Sequence, residues 1–250
     1  MDSENYGMNQ PASIFRVRAH NTAPDSENKI HDDAVAVKYG FREALVPGVA
    51  VYGYMIPAIL ERFGREWLGR GAVAFRLHLP CYEGETVVTR CDGSVVTAES
   101  ENGSLYASGM VSIDEKSDGE PEVFPSHPLP ESDQRPPASP QTVVPGQPLG
   151  SICQALDAAG EAAIPERLLR LANEILVRNF RMSPWIHAGS DVRHYRQVQC
   201  GQDIAVSGVI QECFERKGKK FAVAGIAMSA ENAGGWSLVA NVRHTFIYEL

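Results

Sequence analysis

Between Asp25 and Asp33 the chain reads Asp-Ser-Glu-Asn-Lys-Ile-His-Asp-Asp. Asp25, Glu27, Asn28, His31, Asp32 and Asp33 thus bring carboxylates, an amide and an imidazole into one short loop. Carboxylates and imidazoles are the usual carriers of protons near neutral pH, and an amide beside them can donate and accept at once. Val46-Pro47-Gly48 then opens the segment GVAVYGYMIPAILERF, which is apolar on nearly every side. A helix of that composition is buried rather than surface-lying. An acid/base loop followed by the N-terminus of a buried helix meets two needs of acyl thioester chemistry. One is a proton shuttle; the other is backbone N–H groups aimed at a developing oxyanion.

The elements that must position this loop can be read in order. Ile14 to Ala19 alternates and predicts a first strand, closed by the turn-prone stretch Asn21 to Ser26. Ala34 to Tyr39 predicts a short helix capped by Asp32 or Asp33 and ended by Gly40. The buried helix runs from Gly48 towards Phe63, with Gly64 as its stop and Pro57 expected to kink it. Alternating runs at Val73 to Pro80, Thr86 to Ser100 and Leu105 to Asp114 predict an antiparallel meander, with Asp92-Gly93 and Asn102-Gly103 at turns.

From Asp114 to Leu149 the composition shifts, and nine of the sixteen prolines fall between Pro121 and Pro148. That stretch reads as a linker, residues 117–147, extended rather than packed. Beyond it the earlier pattern returns. Arg76 aligns with Arg193 and Gly84 with Gly201 at one offset, 193 − 76 = 201 − 84 = 117. A helix from Pro165 to Phe180 places Leu168, Leu171, Ala172, Ile175 and Leu176 at helical spacing. Strands follow at Ile204 to Phe214, Phe221 to Ser229 and Ser237 to Tyr248. The chain therefore reads as a duplicated unit, 1–116 and 148–250, each copy a helix with an antiparallel sheet.

Composition bounds the function. The 250 residues are 44% hydrophobic, enough for a substantial core, and the formal charge of −8 argues against a nucleic-acid partner. The five cysteines are scattered with no C-x-x-C pair, so neither a disulfide framework nor a zinc site is expected. The opening residues are acidic and polar, unlike a signal peptide, and no run approaches the roughly 20 apolar residues of a membrane helix. A cytoplasmic protein with no membrane partner is the expectation.

Asn28-Lys29-Ile30-His31-Asp32-Asp33, followed by Ala36, Gly40-Phe41 and Val46-Pro47-Gly48, resembles the signature of the MaoC-like, (R)-specific enoyl-CoA hydratases. The resemblance implies an α+β tandem (double) hot-dog fold, in which each half wraps an antiparallel sheet around a central helix. It implies reversible addition of water to a trans-2-enoyl thioester carried by coenzyme A or an acyl carrier. No cofactor is implied beyond coenzyme A as part of the substrate, and no metal. Residue by residue it carries the catalytic histidine to His31 and the substrate-binding positions to Asn28 and the oxyanion glycine Gly48. In an ungapped register the family's catalytic aspartate falls on Ser26, so Asp25, one residue earlier, is taken as the carboxylate, with Glu27 as the alternative. The family's proline is Lys29 here and its histidine before the glycine is Pro47. The second half lacks the motif and would complete the sheet and form one wall of the acyl pocket. Two paired units in one chain make further assembly unnecessary and leave a homodimer open.

Plainer roles stand beside these. Asp33 reads as a helix cap and Asn28 as a brace of its own loop. Arg76 and Arg193 belong to the strand framework, and His187 and His194 default to structure. The basic turn Arg216 to Lys220 either meets the phosphates of coenzyme A or is a solvated hairpin tip. Two other functions fit the same residues. A hot-dog thioesterase would use Asp25 or Glu27 to direct water at the carbonyl, and a non-catalytic acyl-CoA-binding protein would use none of them.

Overall fold

The computed structural model describes residues 12–113 and 121–250. Residues 114–120, which include the predicted end of the first unit and the first four residues of the predicted linker, lie outside them. The first half contains β1 (Ser13–Arg18), a 3-10 turn (Lys29–His31), α1 (Asp33–Lys38), α2 (Gly48–Phe63), α3 (Trp67–Arg70), β2 (Gly71–Leu77), β3 (Thr86–Asp92), β4 (Val95–Ser100) and β5 (Leu105–Ile113). The second contains β6 (Pro148–Ala155), a 3-10 turn (Glu161–Ala163), α4 (Ile164–Asn179), β7 (Ile186–His194), β8 (Asp203–Arg216), β9 (Lys219–Asn232) and β10 (Gly235–Glu249).

All the strands join one antiparallel sheet in the order β1-β3-β4-β5-β2-β7-β10-β9-β8-β6. Read from its two ends, this order is the same walk taken twice, meeting at β2 and β7. The joint obeys the offset seen in the sequence. Ala72 pairs with Arg193 and Arg76 with Gly189; since 72 + 117 = 189 and 76 + 117 = 193, the offset exchanges the two pairs. Gly84 and Gly201 both adopt positive φ, 74° and 87°, just ahead of β3 and β8. A side chain there would be strained, which is why the glycine recurs. Arg76 crosses the joint to Asp191 at 2.6 Å.

The two long helices pack on the sheet, α2 chiefly on β1, β3 and β4 and α4 chiefly on β6 and β8, and touch each other. α2 runs unbroken through Pro57 and buries Val49, Ala50, Val51, Tyr52, Met55, Ile56, Ala58 and Ile59. Burying each large aliphatic side chain is worth about 1.5–3 kcal/mol, so this helix is held by its packing rather than by its caps. α4 begins with Pro165 in its first turn and buries Leu168, Leu169, Leu171, Ala172, Ile175 and Leu176.

The proline-rich stretch departs from the expectation of an unpacked linker. Residues 121–147 form neither helix nor strand, yet they are fastened across the second half. Phe124 O accepts from Ser207 Oγ at 3.0 Å, and His127 exchanges bonds with Ser151 on β6. Val143 is buried, while Leu129 and Ala138 pack against the core. Proline removes backbone donors and so keeps the segment out of the sheet. The apolar side chains between the prolines still find cover. No helix of the described residues is long and apolar enough to cross a membrane.

Candidate active site

His31 ends the 3-10 turn that follows Asn28, and its loop has a small apolar cluster of its own, Ile30, Ala36, Leu45 and Tyr82, with Ile186 and Leu250 of the second half packed against it. Asp32 caps α1 by accepting from Val35 N–H at 3.1 Å, and Asp33 accepts from Ala44 N–H at 2.8 Å. The capping role expected of either aspartate therefore belongs to Asp32, and Asp33 instead ties the far side of the loop.

His31 Nδ1 lies 2.7 Å from Leu45 O. A carbonyl only accepts, so Nδ1 carries the proton and the Nε2 of the neutral ring carries a lone pair. Burial holds the ring below its ordinary imidazole value, with the Leu45 carbonyl opposing and the Arg170 charge adding to the shift. His31 is thus neutral at physiological pH, and Nε2 is a base.

Asn28 is buried and spends its whole amide. Nδ2 donates to Trp185 O at 3.0 Å and lies 3.4 Å from His31 Nε2; Oδ1 accepts from Trp185 N–H at 3.1 Å and Ile30 N–H at 3.4 Å. It is both the brace expected within the loop and a clamp on the second half.

Gly48 opens α2, whose N-terminus has no side-chain cap. The first N–H groups of a helix have no acceptor within it, and the aligned peptide dipoles leave them electropositive. A Cβ on Gly48 would stand 2.3 Å from Leu77 Cδ1 and 3.0 Å from His187 Nδ1. Only a glycine leaves room for both.

Asn28, His31 and Gly48 line one cavity of about 240 Å³ between the halves. From the first half come also Ile30, Phe41, Val51 and Cys81; from the second come Asn173, Trp185, Ile186, His187, Ala188, Lys219 and Ile247. Burial pushes the Cys81 thiol up to about 12, which excludes a thiolate nucleophile there. Lys219, from the basic hairpin, reaches the lining, whereas Lys220 pairs with Glu215. Among the described residues no group of three His, Cys, Asp or Glu side chains is arranged to hold a metal ion.

The expected carboxylate is not in the cavity. Asp25 is exposed, lies outside the lining and has no side-chain partner among the described residues. Glu27 points away to Arg135 of the proline-rich stretch, at 3.0 and 3.2 Å, and that bond holds its carboxyl below the usual range. Ser26 Oγ donates to Asn28 O at 3.2 Å. Asn28 turns the chain into the 3-10 turn, and what precedes it runs along the surface. No Asp or Glu is among the lining residues. What the sequence leaves unseen is His187, which the lining includes although nothing in its neighbourhood of the chain marks it.

No protein-family model and no curated protein matches this chain. Solved structures do match. A conserved protein of Mycobacterium tuberculosis, RV0216, described as having a double hot-dog fold, is 13% identical with a TM-score of 0.69 over 95% of this chain and 96% of its own. A protein of Chloroflexus aurantiacus assigned as a MaoC-domain dehydratase is 11% identical with a TM-score of 0.63, covering 100% of this chain and 99% of that one. A protein of Lactobacillus plantarum assigned as an oleoyl thioesterase is 9% identical with a TM-score of 0.55 and 97% coverage of both. At these identities the likeness defines the fold. The chain is a double hot-dog protein, an α+β architecture that hosts both dehydratases and thioesterases.

Proposed function

We propose that this protein is a MaoC-like acyl-thioester hydratase, reversibly adding water to a trans-2-enoyl thioester. The observation that carries the reading is the sharing of one cavity by the His31 Nε2 base and the uncapped N-terminus of α2. In this reading the thioester oxygen lies at the Gly48 N–H. A water that takes the place of the long Asn28 Nδ2 contact gives a proton to His31 Nε2 while its oxygen bonds to the β-carbon, and the alkene electrons move onto the thioester oxygen as an enolate. The imidazolium then returns that proton to the α-carbon and the thioester carbonyl re-forms. One histidine handling one proton balances the reaction, so no carboxylate is demanded. A general acid/base typically supplies about 10²–10⁴ in rate, and one oxyanion donor about 10²–10³.

A cavity of about 240 Å³ is below the roughly 300–1,000 Å³ of drug-sized sites and favours a short acyl group. Adding the protein to crotonyl-CoA should bleach the enoyl absorbance without releasing free thiol, and His31→Ala should abolish the change while keeping the native unfolding midpoint. Thiol release would establish a thioesterase instead. A second reading, a protein that binds acyl thioesters without turnover, draws support from the position of Asp25 outside the cavity. Binding of crotonyl-CoA with neither signal would favour it.

A further inference from the structure

One wall of the cavity continues beyond it. Ile186 of β7 stands opposite Ile247 of β10, Ile247 opposite Phe221 of β9, and Phe221 opposite Phe214 of β8. Ile186 and Ile247 line the cavity, while the rings of Phe221 and Phe214 are stacked, with centroids 5.0 Å apart and planes 9° from parallel. Directly opposed residues of an antiparallel sheet share a face, so the four side chains form one row across four strands. The row leaves the cavity and ends in the open, at Phe214, which is 42% exposed. Three strand spacings separate its ends, a distance of about 14 Å.

A pair of cations runs beside this row. Lys219 and Arg216 oppose each other at the tip of the same hairpin, two residues from Phe221 and Phe214 and therefore on their face. Lys219 also lines the cavity. Neither side chain has a hydrogen-bond or ion-pair partner among the described residues. The carboxylates around them are engaged elsewhere: Glu215 holds Lys220, Glu212 holds Arg243 at 2.9 Å, and Glu249 opposes Lys220 rather than Lys219. An open aromatic face beside unpaired cations is suited to a nucleotide. A base stacks on the ring, and ammonium and guanidinium groups bind phosphate oxygens.

We propose that this hairpin is a nucleotide-binding shelf, on which the adenine of a coenzyme A thioester stacks on Phe214 while its phosphates meet Lys219 and Arg216. This rests on the cavity being a thioester site, and it names the carrier as coenzyme A. The acyl group occupies the cavity and the pantetheine arm follows the row outwards over about 14 Å. A carrier protein would bring the same arm and one phosphate but no base, and would leave the stacked rings without a ligand. The shelf lies in the half that lacks the catalytic motif. That half then selects the carrier, and the first half performs the proton transfer.

The test compares crotonyl-CoA with crotonyl-pantetheine, which has the same reacting end and arm but neither phosphate nor base, on the whole chain. Wild type should give a kcat/KM about 100-fold higher for crotonyl-CoA, the difference lying in KM, from one stacked base and one charge-assisted bond at about tenfold each. Phe214→Ala and Lys219→Gln should each cut that ratio about tenfold. Should Phe214→Ala not fold, Phe214→Leu, which keeps apolar bulk without the ring face, replaces it. Adenosine 3′,5′-bisphosphate, followed by calorimetry with no turnover, should bind wild type and lose affinity in both variants. Equal kcat/KM for the two thioesters would overturn the proposal, as would a ratio that neither variant moves. Preference for a crotonyl carrier protein over crotonyl-CoA would overturn it too, making the hairpin a contact for that protein. Binding of the bisphosphate that follows Phe214 and Lys219, in a protein that does not hydrate crotonyl-CoA, would retain the shelf and remove the hydration reading. Hydration without binding of the bisphosphate would remove the shelf alone.

Discussion

Asn28 illustrates how one side chain can serve site and scaffold together. Its amide clamps the Trp185 peptide on both sides and stands against His31 Nε2, so removing it leaves a buried N–H and a buried C=O of Trp185 without partners. Asn28→Ala should therefore cost at least about 2 kcal/mol of unfolding free energy, two groups at about 1–3 kcal/mol each. Ser26→Ala, which loses one partly exposed bond, should cost under about 1 kcal/mol, both variants being compared with wild type by urea titration. Equal losses would show that the clamp is not what secures the loop. His31, Asn28 and Gly48 line the same cavity, as their spacing leads one to expect; the 3-10 turn and the His31–Leu45 bond that place His31 are local, whereas Asn28 is also held by Trp185, 157 residues away. Asp25 does not line it, because the direction of the chain before Asn28 is set by Arg135, more than a hundred residues away. His187 was hidden for a related reason: its partners, Ser190 and His244, meet it only through a bulge and a strand pairing.

At the scale of the element, legibility followed periodicity. α2 begins and ends where its glycines and apolar run place it, at Gly48 and Phe63. The sequence pattern does not mark β6 and β7 as strands. β7, Ile-His-Ala-Gly-Ser-Asp-Val-Arg-His, has two aliphatic residues beyond alanine, and its bulge breaks the alternation of buried positions. β6 is an edge strand whose last residues are exposed. The joint of the halves makes β7 the element most sensitive to added bulk. A Cβ on Gly189 would stand 2.5 Å from Phe75 O and 3.0 Å from Arg76 Cα, both fixed backbone atoms of β2. Gly189→Ala should destabilise the fold by about 1–3 kcal/mol or more by prising that joint. Gly48→Ala meets side-chain atoms only, Leu77 Cδ1 and the His187 ring, so it should cost less unfolding free energy than Gly189→Ala and should in addition weaken thioester binding and turnover. Loss of stability in Gly48→Ala without loss of binding would reverse the assignment.

Across the whole molecule, duplication was the most legible feature, because a 117-residue offset repeated at a turn glycine and a strand arginine reappears in the register of the central pairing. The path of the proline-rich stretch was not, since its anchors lie on other strands. Four histidines carry a consequence for the molecule as a whole. Burial pushes His187 down to about 3 and His194 to about 4, pushes His244 well below the ordinary value, and lowers His31 as well. In the unfolded chain each titrates near 6.5. Between that value and the folded ones the unfolded state binds more protons than the folded state, so acid favours unfolding. The stability these rings contribute is present above pH 6.5 and is lost as pH falls towards the folded values, at a limiting slope of about 1.4 kcal/mol per pH unit for each ring. Most carboxylates stay ionised down to about pH 5, which leaves the interval from 6.5 to 5 dominated by histidine. Urea unfolding at pH 7, 6 and 5 should thus show stability falling across that interval by several kcal/mol. His194→Leu, which removes a buried ring packed edge-on against Trp67 and away from the cavity, should flatten the dependence by about one ring's share. A stability profile flat from pH 7 to 5 would mean that these rings are not held neutral in the folded chain.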